Sequence, residues 1–434
     1  MNTENQLEAN SIRNDYSPYP NYKQIDGKWL NQIPKHWDSA RLKHISKIIM
    51  GQSPPSEKYN QLGDGVPFLQ GNADFGNINP IPQTYCIEPN RTCLEGDVLL
   101  SVRAPVGEIN IAEQVYGIGR GLCAIRSQNR IRKEFLWYLC HEAKLYLESV
   151  STGSTYDAVS IDDVKSILFA LPPIKEQDKI AEFLNNRTIN IGKLIDKQKR
   201  LIVLLEEKRT ALISRAVTKG LDPDVEMKDS GVEWLGEIPK HWGIKPLFSL
   251  MEEQEIKNEG NKVNQVLSLS YGKIVERDVE SNFGLLPESF DTYQIIKPGN
   301  IILRLMDLQN DKRSLRVGLV KDLGIITSAY LCLKVKREIQ EGYAYKLLHS
   351  YDVNKVFYAM GGGVRQTMRY DDLKHMPVLI PPENEQTEIL EYISEQEARI
   401  STIINVSERL VSTLSEYRSS IISHVVTGKI DVRN

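Results

Sequence analysis

Apolar residues along this chain fall into two long helical stripes, separated by two regions of short and irregular patterns. From about Glu176 the apolar positions step by alternating fours and threes: Ile180, Leu184, Ile191, Leu194, Leu201, Leu205 and Leu212, with Arg187, Gln198 and Lys208 as polar interruptions. Adding 209 to each position gives Ile389, Ile393, Gln396, Ile400, Ile403, Ser407, Leu410, Leu414, Tyr417 and Ile421. Spacing of this kind, sustained over so many turns, predicts a coiled-coil seam. A helix of about 40 residues is roughly 60 Å long, and a stripe of that length cannot be hidden by one helix alone. The two stripes are therefore expected to pack on each other as an antiparallel pair. Gly192 lies inside the first helix and predicts a weak point, at a cost of about 1 kcal/mol relative to Ala. Gly220 and Gly428 stand where C-terminal caps belong.

The regions between the stripes read differently. Asp97–Val102 and Ile118–Ile125 have the look of strands set between Gly, Pro and Asn clusters, and Arg132–Val150 has the pattern of a short helix. These regions, about 39–170 and 244–370, match each other only faintly, yet their flanks agree closely. Trp29, Leu30, Ile33, Pro34, Lys35, His36 and Trp37 return 205 residues later as Trp234, Leu235, Ile238, Pro239, Lys240, His241 and Trp242. The run 171–222 returns ungapped as 380–431 with 18 of 52 positions identical, so the chain is a tandem repeat. The expected class is α+β: two mixed α/β domains in a pseudo-two-fold tandem repeat, separated by two long helices in an antiparallel coiled coil. The expected boundaries are a tail over 1–28, a first domain over 29–175, a first helix over 176–219, a linker over 220–233, a second domain over 234–379 and a second helix over 380–434. The continuation missing after 434 resembles residues 16–28, so the two ends of the chain should lie close together.

Composition changes this picture little. Of 434 residues, 41% are hydrophobic and 26% charged, as in an ordinary globular protein. No window reaches the apolar length of a membrane span, residues 1–21 lack the apolar core of a signal peptide, and the five cysteines form no CxxC pair. The expected setting is the reducing cytoplasm. A net charge of −3 gives no global attraction for a polyanion, so such a partner has to be held by local patches. Two patches exist. Residues 296–337 carry nine Lys or Arg against three Asp, and residues 91–133 carry seven against four acidic residues.

Catalytic signatures are missing. No Gly-Lys pair is followed by Ser or Thr, no Asn/Asp-Pro-Pro-Tyr/Phe motif of amino-methyltransferases occurs, and Pro223–Lys228 has its acidic residues too close together for a nuclease core. His36 and His241, beside Trp37 and Trp242, read better as part of a plug at the start of each domain than as base-stacking pairs. Amide and Arg side chains near glycines suit base readout, in which Arg pairs with guanine and Asn or Gln with adenine. The candidates are Gln52, Ser53, Gln70, Asn72, Arg103, Arg120 and Thr155 in the first domain. In the second they are Arg304, Gln309, Lys312, Arg313, Arg365, Gln366 and Thr367.

Lys228–Trp242, the Leu171-Pro172-Pro173 start with Glu176-Gln177, its copy Ile380-Pro381-Pro382 with Glu385-Gln386, and the helices that follow resemble the specificity subunit of type I restriction-modification systems. Gly96–Gly107 and Gly119–Leu122 are similar to that family's target recognition domains. The resemblance covers almost the whole chain. It implies a bipartite double-stranded DNA target with a fixed spacer, and two half-sites about one helical turn apart. It further implies two methyltransferase and two motor-nuclease partner subunits, which supply adenine methylation and ATP-dependent cleavage. On that reading the chain is not an enzyme and binds no cofactor itself; S-adenosylmethionine, ATP and Mg belong to its partners. The second copy has Arg304–Asp307 where the family's Arg-Ala-Pro-Val-Gly run stands in the first. A coiled-coil scaffold with two non-DNA ligand-binding domains, or a specificity subunit for a fused methylase-nuclease, remains open from sequence.

Overall fold

A computed structural model describes residues 16–27, 29–151, 158–277, 289–308, 315–360 and 367–433. The chain divides into two compact units, Met1–Gln198 with Arg409–Asn434, and Lys199–Glu408. Each unit thus contains one variable region, the start of one long helix and the end of the other.

In the first unit a four-stranded antiparallel sheet runs in the order Ile109–Ile111, Val98–Ser101, Leu122–Ser127, Ser46–Met50. Val98–Ser101 is buried along its whole length. Strand side chains alternate between faces, and the two faces feed two cores. Val98, Leu100, Cys123 and Ile125 join the large core with the helix Lys133–Glu142 and the ends of both long helices. Leu99, Leu122 and Ala124 join a second core against a five-stranded sheet that includes Val66–Leu69 and Tyr116–Ile118. A strand covered on both sides reads as a continuous apolar run, which is why the sequence marks this one so clearly.

The second unit repeats the plan. Its four-stranded antiparallel sheet runs Met251–Glu253, Leu331–Val335, Ile301–Leu303, Val317–Leu319. Ile301, Leu303 and Leu333 face the large core, while Ile302 and Cys332 face the smaller one. The frames agree in register as well. Tyr22 pairs with Pro34 as Met227 does with Pro239, and Asp38–Arg41 pairs with Leu168–Leu171 as Gly243–Pro246 does with Pro377–Ile380. In the first unit the chain's two end regions meet, where Asp431 donates its N–H to the Ser17 carbonyl and Tyr22 Oη donates to the Gly428 carbonyl at 3.0 Å.

Several expectations are corrected. Ile118–Ile125 is not one strand but the end of Tyr116–Ile118 and the start of Leu122–Ser127, broken by a turn at Gly119–Gly121. Arg132–Val150 is two helices, Lys133–Glu142 and Lys144–Val150. The long helices are Ile174–Lys219 and Glu383–Val426, and the first runs through Gly192 without a break. A cost of about 1 kcal/mol is small beside the hydrogen bonds of so long a helix, and Ile191 and Ile195 on either side are buried. The seam also drifts. Leu194 and Ile403, placed in it by the heptad, are 47% and 45% exposed, whereas Ile195 and Ile404 are 6% and 7% exposed. A straight α-helix has 3.6 residues per turn and slips about 20° per heptad, so the buried stripe steps from Ile191 to Ile195 rather than to Leu194. Gly220 and Gly428 do cap their helices, with φ of +76° and +75°.

The duplicated Glu-Gln pair joins helix to domain. Glu176, on the first turn of its helix, accepts from Trp37 Nε1 at 3.0 Å and Tyr19 Oη at 2.7 Å, with His36 Nε2 at 2.9 Å. Gln177 Oε1 accepts the Arg132 N–H at 2.9 Å, at the start of the helix Lys133–Glu142. Glu385 likewise holds Trp242 Nε1 at 3.0 Å and His241 Nε2 at 2.7 Å, and Gln386 Oε1 accepts the Gln340 N–H at 2.8 Å, at the start of the helix Glu341–Val353. The helix dipole adds to this by favouring a carboxylate at its N-terminus. Glu176→Ala leaves two buried donors without an acceptor and is expected to cost about 2–4 kcal/mol. Glu385→Ala, which strands only one indole, should cost about 1–2 kcal/mol. Denaturant unfolding followed by tryptophan fluorescence measures both; a loss under about 0.5 kcal/mol for Glu176→Ala would contradict the joint.

Each unit also holds a half-buried histidine within the field of an arginine on a long helix. Burial first, then the Arg418 and Lys144 charges, hold His141 below the ordinary imidazole value, with Glu108 opposing. Burial first, then Lys346 and Arg209, do the same at His349, where Glu397 opposes. Arg209 and Arg418 are equivalent in the repeat. With the folded pKa depressed, the unfolded chain takes up protons first as pH falls below about 6.5. Stability is full above that pH and declines beneath it. The slope of stability between about pH 6.5 and 5.5 should flatten in a His141→Gln/His349→Gln variant; an unchanged slope would show that neither histidine carries it.

Candidate nucleic-acid interface

In the first unit four segments meet through their main chains. Gly51 N–H donates to the Leu122 carbonyl at 2.9 Å, Gln52 N–H to Ile118 at 2.9 Å, Gly119 N–H to Leu69 at 2.8 Å and Val102 N–H to Gly121 at 2.9 Å. The approach is close enough to exclude side chains. A Cβ at Gly51 would lie 2.0 Å from the Gly119 oxygen, and one at Gly121 would lie 2.6 Å from the Gln70 oxygen. Glycine is thus required here for contact between backbones.

This convergence gathers most of the first domain's candidates. Gln52, Gln70, Arg103 and Arg120 are exposed, while Ser53 and Asn72 are half-buried. Ser53 Oγ accepts the Arg120 N–H at 3.2 Å, so Ser53 positions the Arg120 turn. Asn72 starts a short turn fixed by Asp74, whose Oδ2 accepts the Gln70 N–H at 2.7 Å. Asp74 was not singled out from sequence, though an acidic residue four positions after Gln70 is a turn signal. Thr155 lies outside the described residues.

The basic surplus of 91–133 is sorted by the fold. Arg126 is bidentate on buried Asp97 at 2.9 and 2.8 Å, Arg132 pairs with Asp178 at 2.9 Å and Arg130 with Asp38 at 3.5 Å. Among the described residues neither Arg103 nor Arg120 makes an ion pair with its guanidinium. Arg103 and Arg120, like the exposed Arg91, remain available to an outside anion, the first two on the same convergence as two exposed amides.

In the second unit Arg304 is exposed and donates its N–H to the Arg316 carbonyl at 2.9 Å, and Thr367 is exposed nearby in sequence to Met368, whose N–H reaches the Leu305 carbonyl at 3.0 Å. Arg316 departs from the simple charge count. It is 2% exposed, and its guanidinium donates to the carbonyls of Arg304 at 3.0 Å, Met306 at 2.6 Å and Asp307 at 2.9 Å. It holds the turn that carries Arg304. Lys334 pairs with Glu252 at 3.1 Å, and Lys336 donates to the Phe248 carbonyl at 2.8 Å. Gln309, Lys312, Arg313, Arg365 and Gln366 lie outside the described residues.

Other chemistry finds little footing. Glu226 pairs with Lys240 at 2.6 Å and Lys228 donates to the Trp242 carbonyl at 2.7 Å, so the nuclease-like run 223–228 is a stretch of hairpin. Burial pushes the Cys123 and Cys332 thiols up to about 12, which keeps both as thiols at neutral pH. Among the described residues no cluster of three His, Cys, Asp or Glu could hold a metal, and no helix is long and apolar enough to cross a membrane.

Residues 34–201 match the family model of the type I restriction modification DNA specificity domain, which contains the whole convergence just described. The chain is 42% identical over 166 residues to a putative type I restriction enzyme MjaX specificity subunit of Methanocaldococcus jannaschii, covering 38% of this chain and 39% of that one. It is 23% identical to the type I restriction enzyme MjaIX specificity subunit of the same organism, over 95% of this chain and 96% of that one. Among solved structures, the HsdS subunit from Thermoanaerobacter tengcongensis aligns with a TM-score of 0.49 at 15% identity, over 92% of this chain and 98% of that one. Residues 34–201 thus carry a type I restriction modification DNA specificity domain, and over nearly its whole length the chain is similar to a type I restriction enzyme specificity subunit.

Proposed function

We propose that this chain reads a bipartite sequence in double-stranded DNA and directs partner subunits to it. The observation that carries the reading is the glycine-built convergence, which presents Gln52, Gln70, Arg103 and Arg120 together and leaves both guanidinium groups without an ion pair among the described residues. Arg can contact guanine O6 and N7 in bidentate fashion, and Gln adenine N6 and N7; each such pairing discriminates by about 1–3 kcal/mol. The first unit reads one half-site. The second, through Arg304, Thr367 and the candidates Gln309, Lys312, Arg313, Arg365 and Gln366, reads the other.

The long helices act as the spacer, in an antiparallel coiled coil. In support, the first turns of one helix share a core with the last turns of the other in each unit: Ile180 and Leu184 with Ile421 and Val425, then Ile389 and Ile393 with Ile213 and Val217. Half-sites about one helical turn apart, roughly 10 base pairs, follow from a near-two-fold pair of readers on one face of the duplex. Catalysis belongs to the partners, two methyltransferase and two motor-nuclease chains in the cytoplasm, which bring S-adenosylmethionine, ATP and Mg. This chain binds none of these and contributes address alone.

Exchange of residues 39–170 for the same region of a relative tests the reading. Methylation directed by the assembled complex should change at one half-site and keep the other half-site and the spacer. In the parent chain, Arg103→Ala and Arg120→Ala should relax base preference within that same half-site, by about 1–3 kcal/mol at the position each reads. A swap that altered both half-sites, or arginine variants that left every base preference intact, would contradict it.

A further inference from the structure

The loop that carries Gln52 is short of donors. Its Gly51 and Gln52 N–H groups are spent on the Leu122 and Ile118 carbonyls, and two prolines, Pro54 and Pro55, follow Ser53. Proline has no N–H, so the loop past Ser53 is held through its acceptors. Ser53 Oγ accepts the Arg120 N–H at 3.2 Å, and the Pro54 carbonyl accepts Tyr59 Oη at 3.1 Å. The Pro55 carbonyl accepts the Lys58 N–H at 3.1 Å. Pro54 is buried, while Gln52 and Arg120 on either side of the knot are exposed.

Tyr59 itself is firmly anchored. It lies on the edge strand Tyr59–Asn60 of the five-stranded sheet, where it pairs with Cys86. Its ring is 5.0 Å from that of Phe68, which is fully buried. The next residue fastens the turn that follows, as Asn60 Oδ1 accepts the N–H groups of Leu62 and Asp64, both at 3.0 Å. The hydroxyl also lies within the field of the Arg120 turn. Burial raises the Tyr59 phenol above its ordinary value, and the Ser53 hydroxyl and the Arg120 charge oppose that rise. A phenol fixed by its ring and its strand thus reaches the one point where the Gln52 loop and the Arg120 turn are joined.

We propose that Tyr59 is a positioning residue for base readout by the first unit: its hydroxyl holds the Gln52 loop and, through Ser53, the Arg120 turn, so that both side chains meet the first half-site as one rigid reader. This rests on the DNA-reading function proposed above. Tyr59 is half-buried and its hydroxyl is engaged, so it acts through Gln52 and Arg120 and not by touching DNA. Bidentate pairing with a base edge depends on placement, whereas attraction to phosphate depends on charge. A loosened loop therefore loses discrimination and keeps its salt dependence.

Base preferences of the full chain, read from duplexes enriched out of a randomised pool, provide the test. Gln52→Ala and Arg120→Ala mark the position that each side chain reads. Tyr59→Phe keeps the ring on Phe68 and removes only the hydroxyl, so its melting temperature should stay close to that of the wild type. Discrimination against the wrong base should fall about 5-fold, the worth of one hydrogen bond, at both marked positions and at no other. The slope of log affinity against log salt should not change. In the double variant Gln52→Ala/Tyr59→Phe, the Gln52 position should show no further loss while the Arg120 position still broadens, which separates positioning from a base contact of Tyr59's own. Preferences left intact in Tyr59→Phe, or an equal loss of affinity for all sequences with a lower melting temperature, would overturn the inference while leaving the DNA-reading function standing. If the wild-type chain enriches no sequence, or Gln52→Ala and Arg120→Ala alter no preference, the reading role of this convergence falls, and that of Tyr59 with it.

Discussion

A carboxylate at the start of each long helix, buried at Glu176 and half-buried at Glu385, ties each unit together. Glu176 is 7% exposed and binds the indole of Trp37 and the phenol of Tyr19; Glu385 binds the indole of Trp242. The next residue, Gln177 or Gln386, caps the main helix of the recognition domain. One dipeptide thus fixes the entry strand, the domain helix and the long helix against each other. A buried acceptor serving several donors is costly to lose, and this constraint explains why the frame repeats while the regions between can change.

What lies between is constrained less by identity than by alternation. In both units a central strand is covered on both faces, with one side chain set facing the helical core and the other facing a second small sheet. Any apolar sequence of suitable size satisfies that demand. The loops at the strand ends are then left to vary, and those loops carry the exposed arginines and amides. Divergence between the two regions within one repeated frame is the physical form that the proposed pair of different half-sites would take.

Much of this was legible in the sequence. The repeat marked the frame, the helix lengths and the paired Gly220 and Gly428 caps, and amides and arginines beside glycines stood out as candidates, but that Gly51, Gly119 and Gly121 bring their loops together did not. Three further features were not legible. The drift from Leu194 to Ile195 depends on whether the helix supercoils, which a heptad count assumes. The inward turn of Arg316 depends on three carbonyls brought together only by the fold. Charge along the chain does not distinguish Arg126, bound to buried Asp97, from Arg120, which faces outward.

Hydroxyl-radical footprinting of the full chain on an enriched duplex tests the two-reader frame most directly. Two protected patches on one face of the DNA, centred about 10 base pairs apart, are expected, with the first lost alone when Arg103 and Arg120 are both replaced by Ala. A single continuous patch, or loss of both patches together in that variant, would contradict it.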